Sequence, residues 1–159
     1  MRAELLKRNA IQAALDAIIV GREAADGWNS LTEEERQQAI VTVEYWTPDV
    51  ANENLISRSN IGDSVHIFLE WGDIDSYTNT HPNSQHTKAN YTFNIHLITA
   101  NTKDPQGNLL VAEETVFDKM KTITNVTYNS LGGRWATNED RSVCILTMNF
   151  TYANVKVNT

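Results

Sequence analysis

Histidine and acidic side chains are the groups in this sequence that could hold a metal ion or transfer a proton. The side chains concerned are His66, His81, His86, His96, Asp73 and Asp75. Zinc sites often place two histidines on one helix face, and calcium loops carry oxygen ligands at alternate positions. Neither spacing occurs here. We therefore expect the histidines of the polar stretch to belong to a solvated loop, and we expect no metal and no cofactor.

Nucleophilic catalysis would require an activated side chain with a base beside it. Cys144 is the single cysteine, and it lies in an apolar segment where no neighbouring residue favours the thiolate. Gly132-Gly133-Arg134 lacks the spacing of a nucleotide-binding loop and is typical of a turn. The acidic run 33–35 suits a helix N-terminus. The sequence contains no catalytic constellation, and we expect the protein not to be an enzyme.

The composition restricts the classes of partner. The 159 residues carry a formal net charge of -7, and the basic residues form no run. Nucleic-acid binding depends on clustered positive charge, so we expect no nucleic-acid specificity. No apolar run approaches the ~20 residues that span a membrane, and no signal peptide is predicted. We expect a single domain, residues 1–159, with no membrane contact.

A strand followed by a helix forms the centre of the predicted fold. Apolar and polar residues alternate from Tyr91 to Leu97, which predicts a strand with one buried face and one solvated face. Residues 101–108, with Pro105 and Gly107, predict a turn. Apolar residues then recur at steps of three and four, which predicts a helix near residues 108–123. The apolar positions of that helix are Leu109, Ala112, Val116, Met120 and Ile123.

The N-terminal part is predicted to be mainly helical. Residues 2–20 favour a helix that ends at Gly21. Thr32 and Glu35 have the spacing of a capping box, which predicts a short second helix. The β-branched and aromatic residues of 40–46 favour a strand, and a helix through the same residues is the alternative. The predicted apolar stripe of the first helix is Leu6, Ala10, Ala13, Ala14, Ala17 and Ile18.

The remaining segments complete the predicted sheet. Residues 64–71 predict a strand, and the polar stretch from Gly72 to Ala89 predicts a long loop in an extended hairpin that projects from the body. Residues 125–140 predict a second long connection, and residues 142–155 predict a long closing strand. The tail from Asn154 to Thr159 is strand-like and could pair with a neighbouring subunit. The predicted fold class is α+β, an antiparallel or mixed sheet packed against two helices.

This order of elements resembles that of the tail terminator proteins of long-tailed bacteriophages and of their neck and tail-completion relatives. The resemblance covers most of the chain and rests on element order and pattern. The matching segments are the helix from Leu6 to Ile18, the strands 64–71 and 90–99, the helix from Leu109 to Ile123, and the closing strand that ends Thr147-Met148-Asn149-Phe150-Thr151-Tyr152. The segment from Leu31 to Asn60 departs from a typical member.

The resemblance implies a virion structural protein, produced in the host cytoplasm, that caps the tail tube as a ring, usually a hexamer. Such a ring ends tail polymerisation and provides the docking surface for the head or neck. Its partners would be copies of itself, the tail tube protein and neck or connector proteins, and a head-completion or neck adaptor is the alternative within this class. The expected interface residues are Asp73, Asp75, Tyr77, His81, His86, Lys88 and Trp135.

A second class of protein remains open, an α+β cone in which a curved sheet and its helices enclose a pocket. Such a domain would bind a small ligand or act as an enzyme. His66, His96 and Asp73 would then line the pocket. This hypothesis requires the three side chains to converge, whereas the ring hypothesis predicts a filled core.

Overall fold

A computed structural model describes residues 3–21, 25–45, 62–79, 87–100, 103–129, 132–138 and 140–156. Within them, six strands form one mixed sheet and helices pack against it, so the predicted α+β class is confirmed. The helices are α1 (Ala3–Asp16), α2 (Ala25–Asn29), α3 (Glu33–Gln38) and α4 (Pro105–Met120). The strands are β1 (Ile40–Tyr45), β2 (Val65–Asn79), β3 (Thr87–Ala100), β4 (Val126–Asn129), β5 (Trp135–Thr137) and β6 (Val143–Lys156). None of the described helices has the length and apolar character needed to cross a membrane.

The strand order of the sheet is β1-β2-β3-β6-β4, and β5 also pairs with β6. β1 and β2 are parallel, whereas the other neighbouring pairs are antiparallel. β6 therefore has β3 along one side and two short strands along the other. β5 pairs with its first residues, and β4 pairs with residues from Asn149 to Tyr152.

One face of the sheet is covered by α1 and α4. Ile11 and Leu15 of α1 are buried there with Leu109, Ala112 and Val116 of α4, and strand residues such as Ile67 and Leu97 complete the core. Four aromatic residues lie directly opposite one another across β2, β3, β6 and β4, with ring centroids 5.0–5.6 Å apart. We call Trp71, Phe93, Phe150 and Tyr128 the aromatic row. Burial of this apolar face is the main stabilising contribution to the fold.

The buried stripe of α1 differs from the predicted one. Ile11 and Leu15 are fully buried, whereas Leu6 is 55% exposed, and the helix ends at Asp16 instead of near Gly21. Residues after the helix leave its axis, and Val20 N donates to the Ile40 carbonyl (2.8 Å) beside β1. The prediction followed the alanines of the sequence, but the larger side chains at steps of four bury more apolar area and determine which face packs.

The start of α4 is also earlier than expected. Residues predicted as a turn form the first turn of the helix, since Asp104 is the N-cap and its side chain accepts from Gly107 N (3.2 Å). Pro105 suits the first helical position because its φ is fixed near the helical value and its missing N–H would have had no partner there. Four of the five predicted apolar positions are buried, and Ile123 packs against the core just beyond the helix.

The predicted loop from Gly72 to Ala89 is wrong over most of its length. β2 continues to Asn79 and β3 begins at Thr87, and these two residues pair. The register shifts between Trp71 and Ile74 and again before Ser76, so the regular alternation that marks a strand is interrupted there. Residues 80–86, which include His81 and His86, lie outside the described residues.

The structure bears on two other predictions for the C-terminal half. The connection predicted over 125–140 needs correction, because it contains β4 and β5, which pair with β6. The tail predicted to be strand-like does continue β6 as far as Lys156, where Val155 and Lys156 pair with β3, and its pairing with a neighbouring subunit stays a prediction. Residues 157–159 lie outside the described part.

Two other predictions are confirmed. Residues 40–45 form a strand, and α3 begins with the predicted capping box of Thr32 and Glu35. Cys144 is buried in β6, and this burial raises the pKa of its thiol.

Candidate functional site

The three longest strands continue past the helices, and this part of the sheet is the first candidate site. β2 has 15 residues and β3 and β6 have 14 each, which is roughly 45–50 Å at about 3.3 Å per residue. α4 has 16 residues, or about 24 Å at about 1.5 Å per residue. The helix-covered core reaches Tyr91 and Tyr152. We call residues 72–79, 87–90 and 153–156, which lie beyond them, the strand extension.

Each side of the strand extension has an unpaired backbone edge within the described part of the chain. β1 pairs with β2 only as far as Leu69, so from Glu70 onwards β2 has a described neighbour on one side alone. On the other side, β4 pairs with β6 as far as Tyr152, and Ala153 N still donates to Asn125 O (2.9 Å). Unpaired edges present N–H and C=O groups that can accept a strand from another chain.

Most of the predicted interface residues that can be placed lie in the strand extension. Asp73, Asp75 and Tyr77 belong to β2, and Lys88 of β3 pairs with Thr78. Trp135 lies elsewhere, because it opens β5 opposite Leu146, about 20 Å along β6 from Tyr152. It is partly buried against the main core. The structure therefore brings four of the seven predicted residues together and separates Trp135 from them.

A second candidate site lies on the sheet face opposite α1 and α4. Glu70, Asn94, Asn149 and Asn129 lie directly opposite one another on neighbouring strands, and we call them the polar row. Asn129 Nδ2 donates to Asn149 Oδ1 (2.8 Å), and Asn149 Nδ2 donates to Asn94 Oδ1 (2.7 Å). Asn94 Nδ2 then donates to Glu70 Oε1 (2.7 Å). All three bonds point towards the carboxylate, so each can polarise the next.

His96 lies beside the polar row, between Glu70 and Thr147. Its Nε2 is 3.2 Å from Glu70 Oε1, and its Nδ1 is 2.8 Å from Thr147 Oγ1. An ionised carboxylate only accepts hydrogen bonds, so Nε2 carries the proton and Nδ1 accepts from the hydroxyl. Burial lowers the pKa of His96, and the hydrogen bond and charge of Glu70 offset only part of that effect. At neutral pH the imidazole is therefore uncharged.

The order of Thr147, His96 and Glu70 is that of a nucleophile, its base and the group that orients the base. The geometry here favours a different role. Glu70 Oε1 also accepts the shorter bond from Asn94, so one oxygen is shared by two donors and orients His96 weakly. We interpret the three side chains as part of the hydrogen-bonded face of the sheet.

This face is not solvated along its whole length, in contrast to the prediction. Phe68, Ile98 and Val143 are buried on it and form a second, smaller apolar cluster with Ile145. The face therefore changes from apolar to polar along the strands, and His96, which pairs with Phe68, marks the boundary.

A cleft of about 250 Å³ opens at the edge of β6, between the two short strands that pair with it. β4 ends opposite Asn149 and β5 begins opposite Leu146, so a gap is left opposite Thr147 and Met148. The chain crosses the gap at Arg134, whose carbonyl accepts from Thr147 N (2.8 Å). The residues lining the cleft are Asn94, Tyr128, Asn129, Gly132, Gly133, Arg134, Thr147 and Asn149.

Arg134 connects the rim of this cleft to α4 through an ion pair. Its guanidinium forms an ion pair with the Glu113 carboxylate and lies over the Trp135 ring, 5.7 Å from the centroid. Tyr128 Oη donates to the same carboxylate (3.1 Å). Burial, together with the charge of Glu113, raises the pKa of Tyr128. The positive charge at the rim is thus matched by a carboxylate, and Trp135 acts as an anchor.

The residues proposed for a cone-type pocket are not brought together. His66 Nδ1 lies 2.8 Å from Thr42 Oγ1, whereas His96 bonds to Thr147 and Glu70. Asp73 lies seven positions along β2 from His66, which is about 23 Å on a strand. Among the described residues, no group of three or more His, Cys, Asp or Glu could hold a metal ion.

The fold and its two candidate sites define a class, an α+β protein with a mixed sheet, one helix-covered face and a long strand extension. No protein-family model matches this chain, and no curated protein matches it either.

Proposed function

We propose that the protein is a ring-forming virion subunit that caps the tail tube of a long-tailed bacteriophage, ends its polymerisation and offers a docking surface to the head or neck. The observation that carries this proposal is the strand extension, which on each side has a backbone edge with no described neighbour. A neck or head-completion adaptor would use the same contacts between copies and differ in its partner.

The two edges of the strand extension suit assembly into a ring. One edge belongs to β2 and the other to β6, so a contact between copies would join two different surfaces. Such heterologous contacts form closed rings when the rotation between copies divides a full turn. Backbone pairing would supply the hydrogen bonds of the contact, and the side chains of the strands would determine the register. The net charge of -7 would favour basic surfaces on the tube or neck.

The oligomeric state in solution is the first test. Light scattering over a range of concentrations should give the mass of a ring, or of a monomer that becomes a ring when tail tube protein is added. A monomer or dimer whose mass does not change when tail tube protein is added would contradict the proposal.

Proline substitution tests the edge of β2 directly. Tyr77 and Thr78 lie in a regular part of the ladder, so their N–H groups point to opposite sides of β2. Proline removes the N–H group. At one of the two positions it should destabilise the pairing with β3, and at the other it should leave the fold intact and abolish the ring.

The pair of variants contains its own control. Circular dichroism and thermal unfolding identify the variant that keeps its stability, and light scattering then reports its mass. If Tyr77→Pro and Thr78→Pro both assemble into normal rings, the edge of β2 is not the contact.

A further inference from the structure

The cleft between β4 and β5 has polar groups that form no hydrogen bond with the described residues. The amide groups of Asn94 and Asn149 each donate one hydrogen bond to a described residue, which leaves one N–H on each. Asn129 donates twice, to Asn149 Oδ1 and Thr151 Oγ1, while its own Oδ1 accepts no bond from the described residues. The cleft therefore offers two donors and at least one acceptor along one row.

The hydrogen bonds of the polar row hold these groups in place before any ligand arrives. Each carboxamide is oriented by its neighbour, because Nδ2 of one residue must face Oδ1 of the next. The sheet register holds the side chains about one strand spacing apart, roughly 5 Å. Groups that are already ordered lose little conformational entropy on binding, which favours affinity for a small ligand.

The electrostatics of the cleft favour a neutral ligand. Arg134, the cation at the rim, is paired with Glu113 on α4. At the far end of the polar row, Glu70 accepts hydrogen bonds from Asn94 and His96. His96 beside the row is uncharged at neutral pH for the reasons given above. The uncharged side-chain groups that remain for a ligand are carboxamides and a threonine hydroxyl.

We propose that this cleft binds one ring of a neutral polyhydroxylated ligand, such as a hexose or a sugar unit of a polysaccharide. The volume of about 250 Å³ suits a ligand of this size. A polyol carries donors and acceptors on neighbouring atoms, and the row presents both kinds of group. The site lies beside β4, apart from the unpaired edges of the strand extension, so it does not depend on ring assembly.

The test is a titration of isotope-labelled protein with glucose, galactose and mannose, followed by the side-chain amide signals in nuclear magnetic resonance spectra. We expect saturable shifts of the Asn94, Asn129 and Asn149 signals, with a Kd on the order of millimolar. Asn108 is the internal control, because its amide donates to Lys103 O in a different part of the protein. Its signal should not move.

Two variants and one charged sugar complete the experiment. Asn129→Leu removes the end of the polar row with least disturbance to the sheet, and Asn149→Leu removes its centre. At least a tenfold loss of affinity is expected in either variant that remains folded. Absence of shifts up to about 100 mM of every neutral sugar, tighter binding of glucuronate than of glucose, or unchanged affinity in a folded variant would each overturn the proposal. None of these results would alter the light-scattering mass that tests ring formation.

Discussion

The aromatic row and the polar row cross the sheet on adjacent residues of the same four strands, yet their expected contributions to stability differ. Trp71, Phe93, Phe150 and Tyr128 form the aromatic row under the helices, and each is next in sequence to a member of the polar row. Successive side chains of a strand point to opposite faces, so one register determines both alignments. The apolar face fixes that register, and the alignment of the carboxamides follows from it.

The energetic difference between the rows is expected to be large. A buried phenylalanine contributes about 3–5 kcal/mol when it is compared with alanine, whereas a hydrogen bond contributes about 1 kcal/mol. The covered face should therefore dominate stability. The opposite face can carry polar groups of defined geometry at little cost, which is where a binding site is expected.

The substitution Phe93→Ala, at the centre of the aromatic row, is the most direct test of this difference in stabilising energy. Phe93 is 1% exposed, stacks on Phe150 and contacts the rings of Trp71 and Tyr152. We expect the free energy of unfolding to fall by about 4 kcal/mol, because the cavity lies between packed elements. Chemical denaturation monitored by circular dichroism measures the change.

The matched control for Phe93→Ala is Phe117→Ala on the outer side of α4. Phe117 is 38% exposed and its ring packs edge-on against Tyr128, with centroids 5.7 Å apart, so its loss should cost about 1 kcal/mol, well below the loss for Phe93→Ala. Equal effects of the two substitutions would show that the aromatic row is not the centre of the core.

Phe68→Ala probes the apolar end of the opposite face with the same change of side chain. Phe68 is buried, and its cluster among the described residues is formed with Ile98, Val143 and the half-buried Ile145. Within the described part of the chain this cluster is smaller than the main core, so we expect a loss of about 2–3 kcal/mol, below that of Phe93→Ala. A larger loss than for Phe93→Ala in the same denaturation assay would reverse the ranking of the two faces.

The sequence predicted the covered face well and the polar row not at all. Alternation is a local pattern, and it correctly placed the residues of β2, β3 and β6 that lie under the helices, such as Ile67, Leu97 and Leu146, on one face. Asn94, Asn129 and Asn149 each stand next to an aromatic residue in a predicted strand or connection, which is the only local signal they carry. Their alignment depends on which residues pair across strands, and no pattern within one strand contains that information.

The errors at element boundaries have a similar origin. The end of β2 was missed because bulges interrupt its alternation after Trp71, although pairing with β3 continues. β4 and β5 were missed because each has only four or three residues, and strands of that length gain their stability from a long neighbour, here β6. In α1 the predicted stripe followed alanine spacing, whereas tertiary packing selected Ile11 and Leu15.

Asn94→Ala should have a smaller effect than either phenylalanine substitution. Asn94 links Glu70 to Asn149, so its removal takes one of two hydrogen bonds from the Glu70 carboxylate, which keeps His96, and removes the acceptor of Asn149 Nδ2. The position is half-buried and water can replace part of the loss, so we expect about 1–2 kcal/mol in chemical denaturation. A neutral result would mean that the polar row contributes to ligand geometry alone.

The smallest expected effect is the pH dependence of stability that His96, beside the polar row, contributes. Burial lowers the pKa of His96 below its ordinary value of 6.5. Between these two pKa values the unfolded chain binds more protons than the folded one, so stability increases with pH in that interval. The contribution is fully present above about pH 6.5 and is lost as the pH falls through the lower pKa of the folded protein.

Denaturation curves measured from pH 8 to pH 5 therefore should show decreasing stability on the acid side, and His96→Gln should reduce that slope. The difference between wild type and variant isolates the contribution of His96, because the other histidines are present in both proteins. Identical slopes would show that the pKa of His96 is the same in the folded and unfolded states, which would contradict the lowering of that pKa by burial. Because protonation would make Nδ1 a donor facing the Thr147 hydroxyl, that hydroxyl would have to turn and accept. A change of the Asn94 and Asn149 amide signals over the same pH interval would show that this local rearrangement reaches the polar row.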